Sequence, residues 1–586
     1  MKKTLLLSAI CLCILAVAVP AADEIREVPL WSLSGRVIKP DQTAFGHGNI
    51  VLQHHLAETV KSEFLPIAPD GTFSSGKLAA GTYSLAIDIH GASLAAPLLD
   101  HMGRFKLNAD RYLEIEVKPG LLDSVLIFCA DLRDFVWANW MIFLLVGTGI
   151  LLTFYSRFIQ VTKLGKALKY VLKPSSKKEK AAMQKLEGDI SPFQALMTAL
   201  AATVGNGNIA GVATAIAIGG PGAPFWMWVA GFFGMATKYA EGFLGVKYRT
   251  KNKKGEMAGG PMYYAREGIK NKKVGRFLGA AFAVLGGICA LFGTGNMAQS
   301  NSMALALNVQ FTIPFWITGI LLAVLTGIVT IGGIKRIGEV SEKLVPTMVF
   351  FYIAGALTVI LANFARIPEA FSIIFSSAFT GQAATGALIG TSVQRAISIG
   401  VSRGVLSNES GMGSAAIAQA ASTSPNPTYN GLVAMTGTFI DTIVVNTMTT
   451  LTIILSGFYL QTQAFGVSDG LTSTALTSAA FSSVIPFGGI IIAIGSLLFG
   501  YSTLIAWSYY GEKCLEYIFG VKIVMSYRFI FIGLIFVGAI IQGAHLNIIW
   551  YIGEISNAFM IIPNLLALIL LARLVIRETS QDLKTL

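Results

Sequence analysis

Two stretches place glycines and amides where a membrane-crossing helix would otherwise run unbroken. Val204-Gly205-Asn206-Gly207-Asn208-Ile209-Ala210-Gly211 interrupts an apolar run from Ser191 to Gly222, and Leu406-Ser407-Asn408-Glu409-Ser410-Gly411-Met412-Gly413 does the same about two hundred residues later. Lipid cannot hydrogen-bond the backbone groups that such a break frees, so the break must be buried in protein or line a watery cavity. The first break is therefore a binding-site signal, with a close-packed glycine interface as the alternative. Asp441, within Phe439-Ile440-Asp441-Thr442-Ile443-Val444-Val445-Asn446, is an ionisable group inside an apolar run. It reads as a cation ligand, a gate or a hydrogen-bonded structural carboxylate, and Glu409 carries the same ambiguity. Arg395 and Arg403 are expected to point into protein or to snorkel. There is no His-Glu-x-x-His zinc pair and no recognised nucleophile elbow, so no enzyme is expected.

What must position these residues is a set of membrane helices. Hydrophobic residues make up 54% of the chain and charged residues 13%, well below the quarter or so usual in soluble domains. Eleven spans are expected, at 136–156, 193–219, 224–247, 278–305, 313–333, 343–363, 386–422, 430–457, 484–510, 526–544 and 547–572, most with about the twenty apolar residues a bilayer core requires. The net charge of +12 sits mainly in short loops between them, notably Arg157 to Lys180 and Lys247 to Arg276. Such clustering reports positive-inside topology rather than a nucleic-acid partner, and it puts the C-terminus in the cytoplasm. Cys129, Cys289 and Cys514 show no paired or metal-type spacing.

Ahead of the spans the character changes. Residues 1–22, with Lys2 and Lys3 before an apolar Leu5–Val19 stretch and small residues at Ala16, Ala18 and Ala21, read as a secretory signal peptide or as an uncleaved extra helix. Residues 23–125 are expected to form a periplasmic domain. Short alternating runs such as Ser34–Val37, Asn49–Leu52, Gly81–Leu85 and Tyr112–Val117 predict a small antiparallel β-sandwich. Its order of Gly-x-Val, Asp-Gly-x-Phe and Gly-x-Tyr-x-Leu resembles carboxypeptidase-regulatory-like domains. Five histidines lie in this part, His47, His54, His55, His90 and His101; a metal site and ordinary loop or strand positions both stand open.

Residues 126–586 are expected to be the eleven-helix transporter domain. Counting from each break gives five spans (193–363) and five more (386–572) after one extra helix (136–156). An odd number per unit inverts the second copy, the plan of carriers that rock one bundle against another around a central site.

Several motifs then fall in one order: Val204–Ile216, Gly259-Gly260-Pro261-Met262-Tyr263, Gly293-Thr294-Gly295-Asn296-Met297-Ala298-Gln299, Gly404–Ser414 and Gly437–Thr442. From about residue 136 to the C-terminus the chain closely resembles the alanine or glycine:cation symporters, sodium-coupled carriers with the inverted-repeat fold of the neurotransmitter:sodium symporters. Asn206 stands where many members carry a smaller or hydroxylated residue, and the leader with its β-domain is an unusual extension. The resemblance implies that the backbone amides at Gly205 and Gly207 receive the substrate carboxylate, as a half-helix N-terminus can. It further implies a substrate site including Asn206, with Asn208 and Gln299 fixing the polar end of the zwitterion. Sodium would be held by Ser502 and Thr503 with carbonyls at Ala201 and Val204, a set of oxygens suited to a hard cation. Thr503 would also border the substrate, and Trp507, four residues on, would wall the pocket that limits side-chain size. Asp441 is a further cation candidate.

The function expected is sodium-coupled uptake of a small neutral amino acid, alanine or glycine, across a bacterial inner membrane. A proton-coupled carrier on the same fold is the nearest alternative, and a receptor using the β-domain is a more distant one. One sodium ion moving down about 100 mV gains roughly 2.3 kcal/mol, enough for close to a fiftyfold solute gradient.

Overall fold

The computed structural model describes residues 121–172, 186–293, 295–380, 393–424, 426–462, 471–542 and 544–585, and before them 30–38, 49–55, 60–68, 70–75, 78–79, 81–89, 92–95, 104–107 and 110–116. The chain divides into two compact units, Met1–Ile127 and Phe128–Leu586. The signal-peptide reading lies outside the described residues.

In the first unit, strands β1 (Leu30–Trp31), β2 (Leu33–Ile38), β3 (Asn49–His55), β4 (Val60–Pro66), β5 (Thr72–Ser74), β6 (Leu78–Ala79), β7 (Gly81–Ile89), β8 (Ala92–Ala95), β9 (Arg104–Leu107) and β10 (Arg111–Glu116) are described. One sheet has the order β4-β3-β7-β8, with β9 also on β7, and a second has the order β10-β2-β5. Inward positions at alternate residues are buried in both, Ile50, Leu52, Leu65 and Tyr83 in the first and Leu33 and Phe73 in the second, as a pleated strand with one covered face requires. The expected all-antiparallel pattern needs correcting at one pair, since β10 runs parallel to β2. His54 and His55 lie on β3, while His47, His90 and His101 fall outside the described residues.

The second unit is helical. Its helices are α1 (Leu121–Val136, which begins in the first unit), α2 (Asn139–Tyr155), α3 (Leu164–Leu172), α4 (Pro192–Thr203), α5 (Val212–Gly219), α6 (Ala223–Lys247), α7 (Pro261–Gly268), α8 (Lys272–Phe292), α9 (Met297–Phe311), α10 (Phe315–Thr330) and α11 (Gly333–Ala362). They continue as α12 (Ile367–Thr380), α13 (Val393–Asn408), α14 (Ser414–Ala420), α15 (Pro427–Thr438), α16 (Thr447–Ser456), α17 (Ser473–Ser482), α18 (Gly488–Phe519), α19 (Ile523–Ile540) and α20 (Ala544–Thr585). Wide π-turns, Gly207–Gly211 and Phe439–Asn446, join α4 to α5 and α15 to α16. A two-stranded hairpin, β11 (Thr250–Lys251) with β12 (Met257–Ala258), follows α6.

Among the described residues seven stretches are long and apolar enough to cross a bilayer, and the bent pair α4 and α5 makes an eighth. Of the eleven spans expected, three fall short of that standard for separate reasons. Helix α6 has 25 residues but buries Lys238 and Glu241, and α10 has only 16 residues. The expected 386–422 helix is divided into α13 and α14, and its first residues lie outside those described.

The two broken spans run antiparallel with their breaks side by side. Ile190, just before α4, meets Ser422, just after α14, in a locally parallel bridge at one end. A Cβ on Gly207 would lie 3.2 Å from the Ser407 Cα in the middle, and one on Gly219 would lie 3.2 Å from the Ile399 Cβ at the other end. After the half-helix that follows each break (α5; α14), the same succession runs: a long helical stretch (α6; α15 with α16), a short helix (α7; α17) and three further helical stretches (α8 with α9, α10 and α11; α18, α19 and α20), with α12 additional in the first half.

Candidate functional site

The first broken span starts on a reciprocal cap, Ser191 accepting from the Gln194 N–H while Gln194 accepts from that of Ser191. Its helix stops at Thr203, Val204 turns to ψ 88°, and the chain resumes as a π-turn at a bend of 47°. Gly205 is required here because Thr503 Oγ1 lies 2.7 Å from where its Cβ would be. The Gly205 N–H donates to Asn208 Oδ1 at 2.9 Å, and the Asn208 N–H returns a bond to the Gly205 carbonyl at 3.1 Å. The expectation of a bare amide at Gly205 is therefore corrected. A buried N–H is costly to leave unpaired, and an asparagine three residues on can cap it locally. The π-turn in turn frees carbonyls, which hydroxyls from other elements take up: Thr449 bonds the Asn208 carbonyl and Thr477 that of Ile209, each at 2.9 Å.

Asn208 is wholly buried and faces α13 and the second π-turn rather than a cavity. Its Nδ2 donates to Asp441 Oδ1 at 2.6 Å and to Asn446 Oδ1 at 2.8 Å. Ser407 donates to both Asp441 oxygens, at 3.2 and 3.1 Å, and Thr442 donates to Oδ2 at 2.8 Å. Asp441 makes no ion pair with a lysine or arginine among the described residues. Both breaks and the π-turn of α15–α16 thus meet at one carboxylate.

The oxygens expected to hold sodium converge in part on the other side of the break. Ser502 Oγ lies 3.0 Å from the Ala201 carbonyl, and the Phe499 carbonyl accepts from Ser502 Oγ and Thr503 Oγ1, each at 2.9 Å. Val204 is buried at the end of α4, one turn after Ala201. Carbonyls and hydroxyls with no formal charge form the kind of hard-oxygen group that suits a monovalent cation. Phe499 was not in the expected set; its carbonyl lies three and four residues before the two hydroxyls, the reach of a hydroxyl bonding back within its own helix.

A cavity of about 700 Å³ reaches the first break. Asn206, Gly207 and Gln299 line it, together with Thr214, Ser302 and the ion pair of Arg403 with Glu554 at 3.4 Å. Its far wall comes from α17 and the start of α18, so it opens away from the basic loops. Asn206 Nδ2 donates to Gln299 Oε1 at 3.1 Å, and Ser496 Oγ donates to Asn206 Oδ1 at 2.7 Å. Gly205, Asn208, Thr503 and Trp507 are not on the cavity surface. Trp507, expected as a pocket wall, packs its ring on Gly295 and donates to Glu409 Oε1 at 2.9 Å. Arg403 turns into the cavity, whereas Arg395 is exposed. The Gly400-Val401-Ser402-Arg403-Gly404 stretch has the spacing of a nucleophile elbow but lies inside α13, not at a strand-to-helix turn.

The second break is closed by charges from α6. Lys238 Nζ donates to the Asn408 and Glu409 carbonyls at 3.0 and 3.2 Å, while Glu241 Oε1 accepts from the Gly411 and Gly413 N–H groups, both at 3.0 Å. A cation thus sits at the end of one half-helix and an anion at the start of the next, each matching the helix dipole. Glu409, Gly411 and Gly413 all have positive φ, 53°, 93° and 79°. In the sequence the signal for this arrangement is the three-residue spacing of Lys238 and Glu241 in an otherwise apolar run.

On the side of the breaks away from the cavity, Arg249 ties the ends of both broken spans. It donates to the Glu187 carbonyl at 2.8 Å, to that of Ala420 at 3.2 Å and to that of Ser422. Met257 N donates to Asp189 Oδ2 at 2.8 Å, and Lys251 pairs with Glu187 at 2.8 Å. The Lys251 ammonium holds the Glu187 carboxyl below its ordinary range.

Residues 123–585 match the sodium:alanine symporter family. The chain is 50% identical over 448 residues to the sodium/alanine symporter AgcS of Methanococcus maripaludis, covering 76% of this chain and 95% of that protein. It is 36% identical over 446 residues to the probable sodium/glutamine symporter GlnT of Bacillus subtilis, covering 76% and 87%. Among solved structures, that of MhsT in complex with L-phenylalanine matches with a TM-score of 0.48 and 14% identity, covering 67% of this chain and 99% of that one.

Proposed function

Because the chain belongs to the sodium:alanine symporter family, we propose that this sodium-coupled amino-acid symporter carries a small neutral amino acid, alanine or glycine, into the cell. The observation that carries the reading is the first break itself. One side of it, at Asn206 and Gly207, faces a 700 Å³ cavity, and within two turns the carbonyl of Ala201 joins Phe499, Ser502 and Thr503 in an oxygen cluster. An amino acid seated at Gly207 and Gln299 and a sodium ion at Ala201, Val204, Ser502 and Thr503 would share one flexible segment. Each ligand would then bias the same conformational equilibrium, which is what coupling requires.

The antiparallel pairing of the breaks and the matching succession of helices after each support an inverted five-plus-five repeat, rocking around that segment. Membership of the cell inner membrane, with the C-terminus cytoplasmic and the β-rich unit periplasmic, rests on the basic loops between spans. The two sheets with buried inward faces support the β-sandwich reading of that unit.

The test is uptake of labelled alanine into proteoliposomes with inward sodium, competed by a panel of amino acids. Full uptake with sodium replaced by choline would falsify sodium coupling. A proton-coupled carrier is the second reading, and Asp441, a buried carboxylate that makes no ion pair among the described residues, favours it; that reading predicts uptake driven by a pH gradient alone.

A further inference from the structure

The cavity is larger than its proposed cargo requires. At about 700 Å³ it falls within the roughly 300–1,000 Å³ of sites that hold drug-sized ligands, so its overall volume cannot select alanine or glycine. Selection has to be exerted where the substrate seats, next to the break.

One side chain crosses that place. Asn206 belongs to the first broken span and is 8% exposed at the cavity floor. Its Nδ2 holds Gln299 on α9 at 3.1 Å, and its Oδ1 is held by Ser496 on α18 at 2.7 Å. The space beyond it is filled from the same helices. A Cβ on Gly500 would lie 3.3 Å from Asn206 Nδ2 and 2.7 Å from the Met303 Cγ and Sδ, so glycine there leaves room for the amide and the methionine together. Both ends of the amide are satisfied across two helices, which fixes it as a bar rather than a free side chain.

We propose that the Asn206 amide, strung between Gln299 and Ser496, sets substrate size: it closes the chamber floor beside Gly207 and admits no side chain longer than a methyl group. This rests on the symport reading above. A substrate seated at Gly207 with its α-carbon toward α9 brings its side chain against this bar, and each further methylene must displace a hydrogen-bonded amide. Removing the bar exposes space toward Met303 and Gly500.

The test uses the full chain in proteoliposomes, with alanine uptake driven by sodium and competed by glycine, 2-aminobutyrate, valine and glutamine. In Asn206→Ala, 2-aminobutyrate and valine are expected to gain about tenfold or more in inhibition relative to alanine, the scale of one or two methylenes in a pocket, while uptake still depends on sodium. Should that variant fail to fold, Asn206→Gln, which lengthens the bar, is expected to favour glycine over alanine by about tenfold. An unchanged rank order in whichever variant folds overturns the proposal. A wild-type chain with no sodium-stimulated amino-acid uptake removes the symport reading first, and this assignment with it.

Discussion

At the scale of single residues, the chemistry turns on how each buried polar atom is satisfied. Ser502 bridges α18 to the Ala201 carbonyl, so Ser502→Ala removes an oxygen from the proposed sodium group and leaves the backbone in place. A hydrogen bond or ligand contact to a charged species is worth about 1.5–3 kcal/mol, so the sodium concentration for half-maximal uptake is expected to rise at least about tenfold. A sodium titration at saturating alanine reads this directly, and an unchanged midpoint moves the ion elsewhere. Asp441 accepts from Asn208, Ser407 and Thr442. Asp441→Asn keeps its size but replaces acceptor with donor on one side, facing the Asn208 amide or the two hydroxyls. Transport is expected to fall by an order of magnitude or more, as for removal of one partner from a buried charged network of about 3–5 kcal/mol. Near-normal uptake would show the charge to be dispensable.

At the scale of elements, the second break is a helix kept open by its neighbours. Lys238 and Glu241 supply, from one face of α6, the donor and acceptor that residues 408–413 lack. Lys238→Met leaves the Asn408 and Glu409 carbonyls without their donor and removes the positive charge that acts on buried Glu241, Glu409 and Asp441, and a loss of roughly 3–5 kcal/mol is expected. Thermal melting of the detergent-solubilised chain should show a fall of several degrees. Glu241→Gln, which retains an acceptor for the glycine N–H groups, should cost less. On the side away from the cavity the segment after α6 acts as a strap, because Arg249 reaches the carbonyls of Glu187, Ala420 and Ser422 at the ends of the two broken spans. Arg249→Ala is expected to let those ends separate more often. A cysteine at Ile190 should then label several times faster from the cytoplasmic face, and equal rates would show that the strap does not hold the exit shut.

At the scale of the whole molecule, the two units part at Ile127 and the family match begins at residue 123. Membrane helices keep their cooperative core within the second unit, where the buried apolar residues form continuous clusters from Val136 onward. A chain in which residues 28–119 are removed is expected to retain sodium-dependent alanine uptake, since the family match spans residues 123–585 and every residue of the candidate site lies within it. Complete loss of transport in a deletion that still inserts would make the β-rich unit part of the carrier.

The sequence by itself determined that the chain is a multi-span membrane protein and that both helices near 204 and 409 break, whereas the Ser502 and Thr503 hydroxyls were indicated only by the family resemblance. The first two follow from local rules: apolar length, glycine and amide composition, and charge placement between spans. Only the tertiary structure decided the partners. Asn208, read as a substrate ligand, is turned to Asp441, and Trp507, read as a pocket wall, holds Glu409. The glycine amides at both breaks looked bare because their caps lie either three residues on, as Asn208 does for Gly205, or on another helix, as Glu241 does for Gly411 and Gly413. Hydrogen bonds across a bundle join residues as far apart as Asn206 and Ser496. No local pattern encodes such a pair, because what brings the two atoms together is the packing of whole helices.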